Sequence, residues 1–325
     1  MTKERIRTSV IGLGHFGSFH AQKYAQLPQS HLVAVVDADG DRARQAARKH
    51  GAEPLTDYRQ LFGKVDAVSI VVPTQMHFDV ALACLEAGLH VLVEKPITET
   101  LDQADRLIRT AAERSRVLQV GHLQRFLLQR LGADTVINDP LYIESTRIAP
   151  YKPRGTDVGV TLDLMIHDID LVLALVRSPI VLLDAVGAPV VSPTEDIANT
   201  RLRFSSGCVA NITASRVSLK TERKMRIFQR DAYVSLDLHN RKFVVMRKGS
   251  GKAWFPGLPP IDRIEKSFGE GDDLEAEIGS FLDAVASGKP PLVTGEDGRR
   301  ALEAAMRITE SLQESLARVA RPPAD

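Results

Sequence analysis

Three side chains in this sequence have types suited to moving a proton while a hydride leaves carbon: Lys95, Asp163 and His167. Lys95 stands in Glu94-Lys95-Pro96, directly after the apolar run His90-Val-Leu-Val. A buried strand delivers polar groups to a ligand crevice at such an end. Asp163 and His167 are four residues apart, which makes them neighbours on one face of a helix. Oxidation of an alcohol needs a base beside the hydroxyl. Imidazole accepts a proton near neutral pH, and a carboxylate can orient substrate or ring. The bland alternatives are a surface ion pair for Asp163 and His167, and a capping carboxylate with a solvated amine for Glu94 and Lys95. Asp170 extends the face of Asp163, but no cysteine or second histidine nearby completes a common metal ligand set, so no metal is expected.

A hydride also needs an acceptor. Gly12-Leu-Gly14-His15-Phe16-Gly17 lies between a strand pattern and a helix pattern, and Asp37 follows Gly17 by twenty residues. The glycines allow a tight turn and close approach of a pyrophosphate, and a carboxylate at that distance binds ribose hydroxyls, the signature of a dinucleotide site. The Asp37 carboxylate favours NAD over NADP because it would repel a 2′-phosphate. Arg42 and Arg44 are the opposing signal, since either could neutralise such a phosphate, or simply lie on a solvated helix face. Pro73, Thr74 and His77, where the next strand runs out, are expected to border the cofactor together with His15, Phe16, Glu94 and Lys95.

The elements that must position these residues follow from periodicity. Strands are predicted at 8–13, 32–37, 67–73, 91–94 and 117–120, alternating with helices at 16–27, 41–50, 77–87 and 101–114. That rhythm is a doubly wound parallel sheet, an α/β Rossmann domain over 1–122. From 123 to 325 the pattern changes to an α+β domain on a large open, mostly antiparallel sheet, assigned to substrate binding and oligomerisation. It has a helix at 162–176, a meander of strands from 181 to 247, and hairpin turns at Ser206-Gly207 and His239-Asn240. Two closing helices, 274–286 and 299–316, cover this sheet or its junction with the first domain.

Composition excludes several other classes. Forty-two Lys and Arg against forty-one Asp and Glu leave a charge of +1, with no excess to attract nucleic acid or a membrane surface. No apolar run is long enough to span a bilayer and no signal segment opens the chain, so a soluble cytoplasmic protein is expected. Cys84 and Cys208 match neither a redox pair nor a disulfide framework.

Together, the glycine turn, Asp37, Glu94-Lys95-Pro96 and Asp163 with His167 resemble the glucose-fructose oxidoreductase, inositol dehydrogenase and rhizopine-catabolism (Gfo/Idh/MocA) family, over about residues 5–318. The resemblance implies that Lys95 hydrogen-bonds the reacting hydroxyl, Asp163 helps hold the substrate, and His167 is the base in oxidation. It also implies a homodimer or homotetramer joined through the open sheet face. The runs Gln119-Val-Gly-His122-Leu-Gln-Arg125, Ile143 to Arg147, and Arg154 to Asp170 resemble the nucleotide-sugar branch of that family, which oxidises the 3-hydroxyl of UDP-N-acetylglucosamine. Its keto product goes to an aminotransferase, on the way to lipid A. His122, Arg125, Tyr151, Lys152, Arg154 and Arg216 are the candidate substrate contacts, and Lys220, Arg223 and Lys224 form a second basic cluster with Arg216. Dehydrogenation of a free sugar or inositol, and a non-catalytic NAD-binding regulator, remain the alternatives.

Overall fold

The computed structural model describes residues 5–151, 158–249, 257, 260–269 and 272–319. The chain begins with β1 (Ile6–Ile11), α1 (His15–Gln26), β2 (Ser30–Val36), α2 (Gly40–His50), β3 (Glu53–Leu55) and β4 (Ala67–Ile70). It continues with α3 (His77–Glu86), β5 (His90–Glu94), α4 (Leu101–Glu113) and β6 (Leu118–Gly121). The six strands form one parallel sheet in the order β3-β2-β1-β4-β5-β6. Parallel strands covered on both faces need continuous apolar runs. Val10, Val35, Val68, Ile70, Val91 and Val93 supply them and are fully buried. Because all six strands run one way, the segments after β1, β2, β4 and β5 emerge along one edge of the sheet.

Local chemistry sets the helix ends. The Asp39 carboxylate caps α2 by accepting from the Asp41 and Arg42 amides, and Gly51 closes it in a left-handed conformation. Thr100 and Gln103 form a capping box at the start of α4.

The second half of the chain contains α5 (Gln124–Leu131), β7 (Pro140–Ile148), a π-helical turn at Thr161–Met165 and α6 (Ile166–Val176). There follow β8 (Ile180–Ala188), β9 (Ile197–Phe204), β10 (Val209–Ser215), β11 (Glu222–Gln229), β12 (Ala232–Asp237), β13 (Lys242–Lys248) and β14 (Ile261–Ser267). These eight strands form a sheet in the order β14-β13-β12-β11-β7-β10-β9-β8, antiparallel except where β10 runs parallel to β7. Alternation is clean in β9, where Ala198, Thr200, Leu202 and Phe204 are buried and the residues between them exposed. α6 packs on β7 and β10 through this buried face. The chain closes with α7 (Asp273–Ser287) and α8 (Gly295–Val319).

The chain divides into two compact units, Met1–Leu127 with Asp272–Leu302, and Leu128–Gly271 with Glu303–Asp325. This differs from the expected single break at 122/123. The apolar face of α7 is the cause: Ile278, Phe281 and Leu282 are fully buried in one core with Val10, Tyr24, Val35 and Leu92 of the parallel sheet and α1. The start of α8 also belongs there, with Gly298 lying against Val120 so closely that a Cβ would stand 2.6 Å from that side chain. Farther along α8, the Ala185 amide of β8 donates to Ser311 Oγ at 3.1 Å. β3 and β14 were not expected. β3 is three residues long and contains Pro54, and β14 is an exposed edge strand rich in charge, so neither carries a strong alternation. Among the described residues, no helix is long and apolar enough to cross a membrane.

Candidate active site

The glycine turn leads directly from β1 into α1. A Cβ on Gly12 would stand 2.4 Å from the Val71 carbonyl oxygen, and one on Gly17 would stand 1.9 Å from that of Gly12, so the packing of the chain itself requires both glycines. Gly14 is different: a Cβ there would meet nothing within 4 Å. It is the N-cap of α1, no side chain caps that end, and no acidic residue occupies the first turn. Open space before uncapped amides of a helix N-terminus fits the pyrophosphate of a dinucleotide. His15 and Phe16 are exposed at this turn, and His15 packs edge-on against Phe19 with ring centroids 5.1 Å apart.

Asp37 follows directly on β2, beside that turn. One of its oxygens accepts the Leu13 amide at 2.7 Å and the other accepts the Asp39 amide at 2.9 Å. Arg42 lies on Asp37 and Asp39, at 3.3 Å from each, and Arg44 lies on Asp41 at 2.6 Å. Both arginines therefore have carboxylate partners.

Pro73 and Thr74 follow β4, and His77 begins α3 below them. His77 is buried, with Nδ1 2.8 Å from the Pro96 carbonyl oxygen and Nε2 3.0 Å from that of Val72. Whichever nitrogen carries the proton donates to its carbonyl. Burial holds the His77 pKa below the usual imidazole value, against the pull of those two carbonyls and the charge of Glu94. The ring thus ties the loop after β4 to the loop after β5, rather than presenting a nitrogen to the cofactor groove.

The Glu94-Lys95-Pro96 corner follows, with a cis Lys95–Pro96 bond and Lys95 half-buried. Glu94 Oε1 accepts from His20 Nε2 at 3.2 Å, and Oε2 accepts the Lys95 amide at 3.3 Å. Burial raises the Glu94 pKa, but the hydrogen bond and charge of His20 and the charge and amide of Lys95 outweigh it, so the carboxyl sits below its ordinary value. Gly121 leaves room for this carboxylate, because a Cβ there would stand 3.0 Å from it.

In the second unit, Asp163 lies in the π-helical turn and His167 in the first turn of α6, both half-buried. The sequence predicted one continuous α-helix here. A π-turn is an irregularity often found at functional sites. The next carboxylate, Asp168, is buried and faces elsewhere: it pairs with Arg147 and accepts from Ser145 Oγ at 2.8 Å. Asp170 is also buried.

The remaining candidates separate into three groups. His122 is buried just after β6, Arg125 pairs with Asp297 at 3.5 Å, and Tyr151 is exposed after β7. Lys152 and Arg154 lie outside the described residues. Arg216 is corrected from substrate contact to internal strut: its buried guanidinium donates to Asp196 Oδ1, the Val158 carbonyl and Thr194 Oγ1, each at 2.8 Å. Two lysines of that cluster are paired too, Lys220 on Glu222 at 2.7 Å and Lys224 on Asp237 at 3.5 Å. Sequence analysis assigned no site role to His20 or to Glu277, which α7 brings beside Glu94. A histidine inside a helix gives no sign of its partner, and Glu277 is remote in the chain.

A parallel sheet with this strand order, a glycine turn open at Gly14 and Asp37 beside it define a dinucleotide-binding oxidoreductase. The profile "Oxidoreductase family, NAD-binding Rossmann fold" matches residues 6–122, and the "GFO/IDH/MocA C-terminal domain" matches residues 134–235. The chain belongs to this GFO/IDH/MocA family and is an NAD-dependent dehydrogenase. It is 40% identical over 318 residues to the UDP-N-acetylglucosamine 3-dehydrogenase of Acidithiobacillus ferrooxidans, covering 96% of this chain and 99% of that one. A solved structure of that enzyme superposes with a TM-score of 0.90, covering 97% of this chain and 99% of the other. Myo-inositol 2-dehydrogenase of Thermotoga maritima is 28% identical, covering 95% and 97%. Levoglucosan dehydrogenase in complex with NADH and levoglucosan, 20% identical with a TM-score of 0.84 and covering 96% and 98%, shares the fold.

Proposed function

We propose that this chain oxidises the 3-hydroxyl of UDP-N-acetylglucosamine to a ketone. The observation that carries this reading is the 40% identity to a dehydrogenase of that substrate, sustained over 96% of this chain and 99% of the relative. Bound NAD supplies the acceptor for the hydride that leaves C3. The hydroxyl proton passes to His167 as general base, Lys95 donates a hydrogen bond to the reacting oxygen, and Asp163 holds a neighbouring hydroxyl. The Glu94 carboxylate and its amide contact with Lys95 hold that lysine at the crevice edge. Gly12, Gly14, Gly17 and Asp37 hold the dinucleotide, with His15, Phe16, Pro73 and Thr74 along its groove, and His77 braces the loops on either side.

Tyr151, His122 and Arg125, with Lys152 and Arg154, are the residues assigned to the nucleotide sugar. Arg216 is not among them. The open face of the second sheet, where Tyr142, Phe228 and Tyr233 stack with centroids 5.7 and 5.1 Å apart, joins copies of the chain into a dimer or tetramer. Cys84 and Cys208 are free and buried, which suits a reducing cytoplasm. The keto product is of the class an aminotransferase consumes.

The test is NADH formation from NAD with UDP-N-acetylglucosamine, other UDP-sugars, free sugars and inositols, using a ketone trap to draw the equilibrium. Turnover confined to UDP-N-acetylglucosamine is expected. Turnover only on free polyols would overturn the substrate and keep the chemistry.

A further inference from the structure

Behind Lys95 the first unit contains a cluster of which the proposed chemistry uses Glu94 alone. His20 of α1, Glu94 of β5 and Glu277 of α7 bring one nitrogen and two carboxylate oxygens within 4.8 Å of one another. His20 is fully buried, Glu277 is 1% exposed, and Glu277 Oε1 has no hydrogen-bond partner. On its other side, His20 Nδ1 lies 3.1 Å from Ser69 Oγ, which lies 2.8 Å from the buried Tyr24 hydroxyl. His20 thus bridges Ser69 and the Glu94 carboxylate through its two ring nitrogens, and Ser69 continues to Tyr24. Lys95 sets a positive charge beside Glu94.

Two ionised carboxylates at this spacing, one of them almost wholly buried, would repel each other with little solvent to screen the charge. The groups facing Glu277 are Glu94 from β5, His20 and Tyr24 from α1, and Asp273 from its own helix, and the charge of Lys95 acts on Glu94. Gln119 of β6 adds no charge, since its amide nitrogen donates to the Glu277 main-chain carbonyl at 3.1 Å.

We propose that Glu277 is a positioning residue for Lys95: it stands as a neutral carboxylic acid behind Glu94, leaving Glu94 as a single charge shared by His20 and Lys95. The role rests on the assignment of Lys95 to the reacting hydroxyl, whereas the protonation of Glu277 does not. Burial first, then the charges of Glu94 and Asp273, hold the Glu277 carboxyl well above its ordinary value of 4.5. If Glu277 ionises, a second carboxylate competes for Lys95 and His20 and the lysine is drawn off the crevice edge.

The sign of the linkage follows. The folded protein binds a proton at Glu277 that the unfolded chain releases above about pH 4.5. Stability therefore falls as pH rises through the interval between that value and the raised one.

The experiment compares wild type with E277Q and E277A. Glutamine keeps the shape, the acceptor and the donor of the neutral acid but cannot ionise. E277Q is expected to keep turnover within about threefold of wild type, to extend the alkaline limb of the kcat profile to higher pH, and to flatten the fall of stability with pH. Its infrared spectrum at neutral pH should lack a protonated-carboxyl C=O band that wild type shows. E277A should lose turnover without a matching loss of NAD affinity. The proposal is overturned if E277Q loses as much turnover as E277A, if its alkaline limb does not move, if wild type lacks the C=O band, or if purified wild type holds a stoichiometric metal on these three residues. The infrared and unfolding measurements need no substrate, so they still report on Glu277 if no sugar is turned over.

Discussion

Two buried carboxylates of the second unit each have an arginine of their own. Asp168 takes Arg147, and Asp196 takes Arg216 together with the amides of Val190, Val191 and Ser192 at 2.9, 2.5 and 2.8 Å. In the first unit, Glu94 and Glu277 meet at one histidine, and Glu94 also feels the charge of Lys95. Arginine stays charged at any accessible pH, so its pairs are fixed braces. Histidine, lysine and glutamate can exchange protons, and such a set suits a site where a proton must be moved. The two arginine pairs of the second unit therefore mark structure, whereas the exchangeable set around Glu94 suits chemistry.

The largest expected effect tests the chemical side. His167→Ala and Lys95→Ala should each lower kcat by about 10²–10⁴-fold while NAD titration by fluorescence gives an affinity near wild type. Undiminished turnover in either variant would remove that residue from the reaction. Next come the braces. Asp168→Ala removes the buried carboxylate that pairs with Arg147, and urea denaturation should show a loss of about 3–5 kcal/mol. Replacing both residues by apolar ones should cost less than Asp168→Ala alone, and an equal or greater cost would argue that the pair does more than brace.

The same comparison has opposite signs in pH. Burial raises the Asp196 carboxyl, but the amides of Ser192 and Val191 and the Arg216 guanidinium hold it far below its ordinary 3.8. Its contribution to stability is present above that value and fades as pH falls toward the depressed one. Glu277 works the other way, costing stability as pH rises. Thermal unfolding across pH should show Asp196→Asn flattening the acid side and E277Q the alkaline side.

Smaller again is the cofactor effect. Asp37→Ala removes charged acceptors at the ribose end and should narrow the preference for NAD over NADP by about tenfold, the scale of one charged hydrogen bond. Equal selectivity before and after would break that assignment. Gly121→Ala should have the smallest effect, a few-fold fall in kcat as the new methyl presses on Glu94, with unfolding little changed. No change at all would mean that the Glu94 position is not critical.

How much of this was legible in the sequence depended on how local each contact is. The glycine turn, Asp37 and the strand ending in Glu94-Lys95-Pro96 are read within short stretches, because a strand, a turn and a helix follow one another in a βαβ unit. The helix at α7 is also legible from its apolar face, but its docking on the first unit is not, since an amphipathic pattern says what is buried and not against what. Glu277 was lost with it. Arg216 was legible as a charge, whereas its partner Asp196 is set by β10 lying antiparallel to β9, a register that local periodicity does not specify. The π-turn at Thr161–Met165 leaves the four-residue spacing of Asp163 and His167 intact and so has no signature in the pattern.

The most direct measurement of the central claim uses UDP-N-acetylglucosamine carrying deuterium at C3, incubated with the protein and NAD, with the nicotinamide product weighed by mass spectrometry. The account predicts NADH that has gained the deuterium together with the 3-keto sugar nucleotide. NADH without deuterium, or an unchanged sugar under conditions where another substrate turns over, would contradict it.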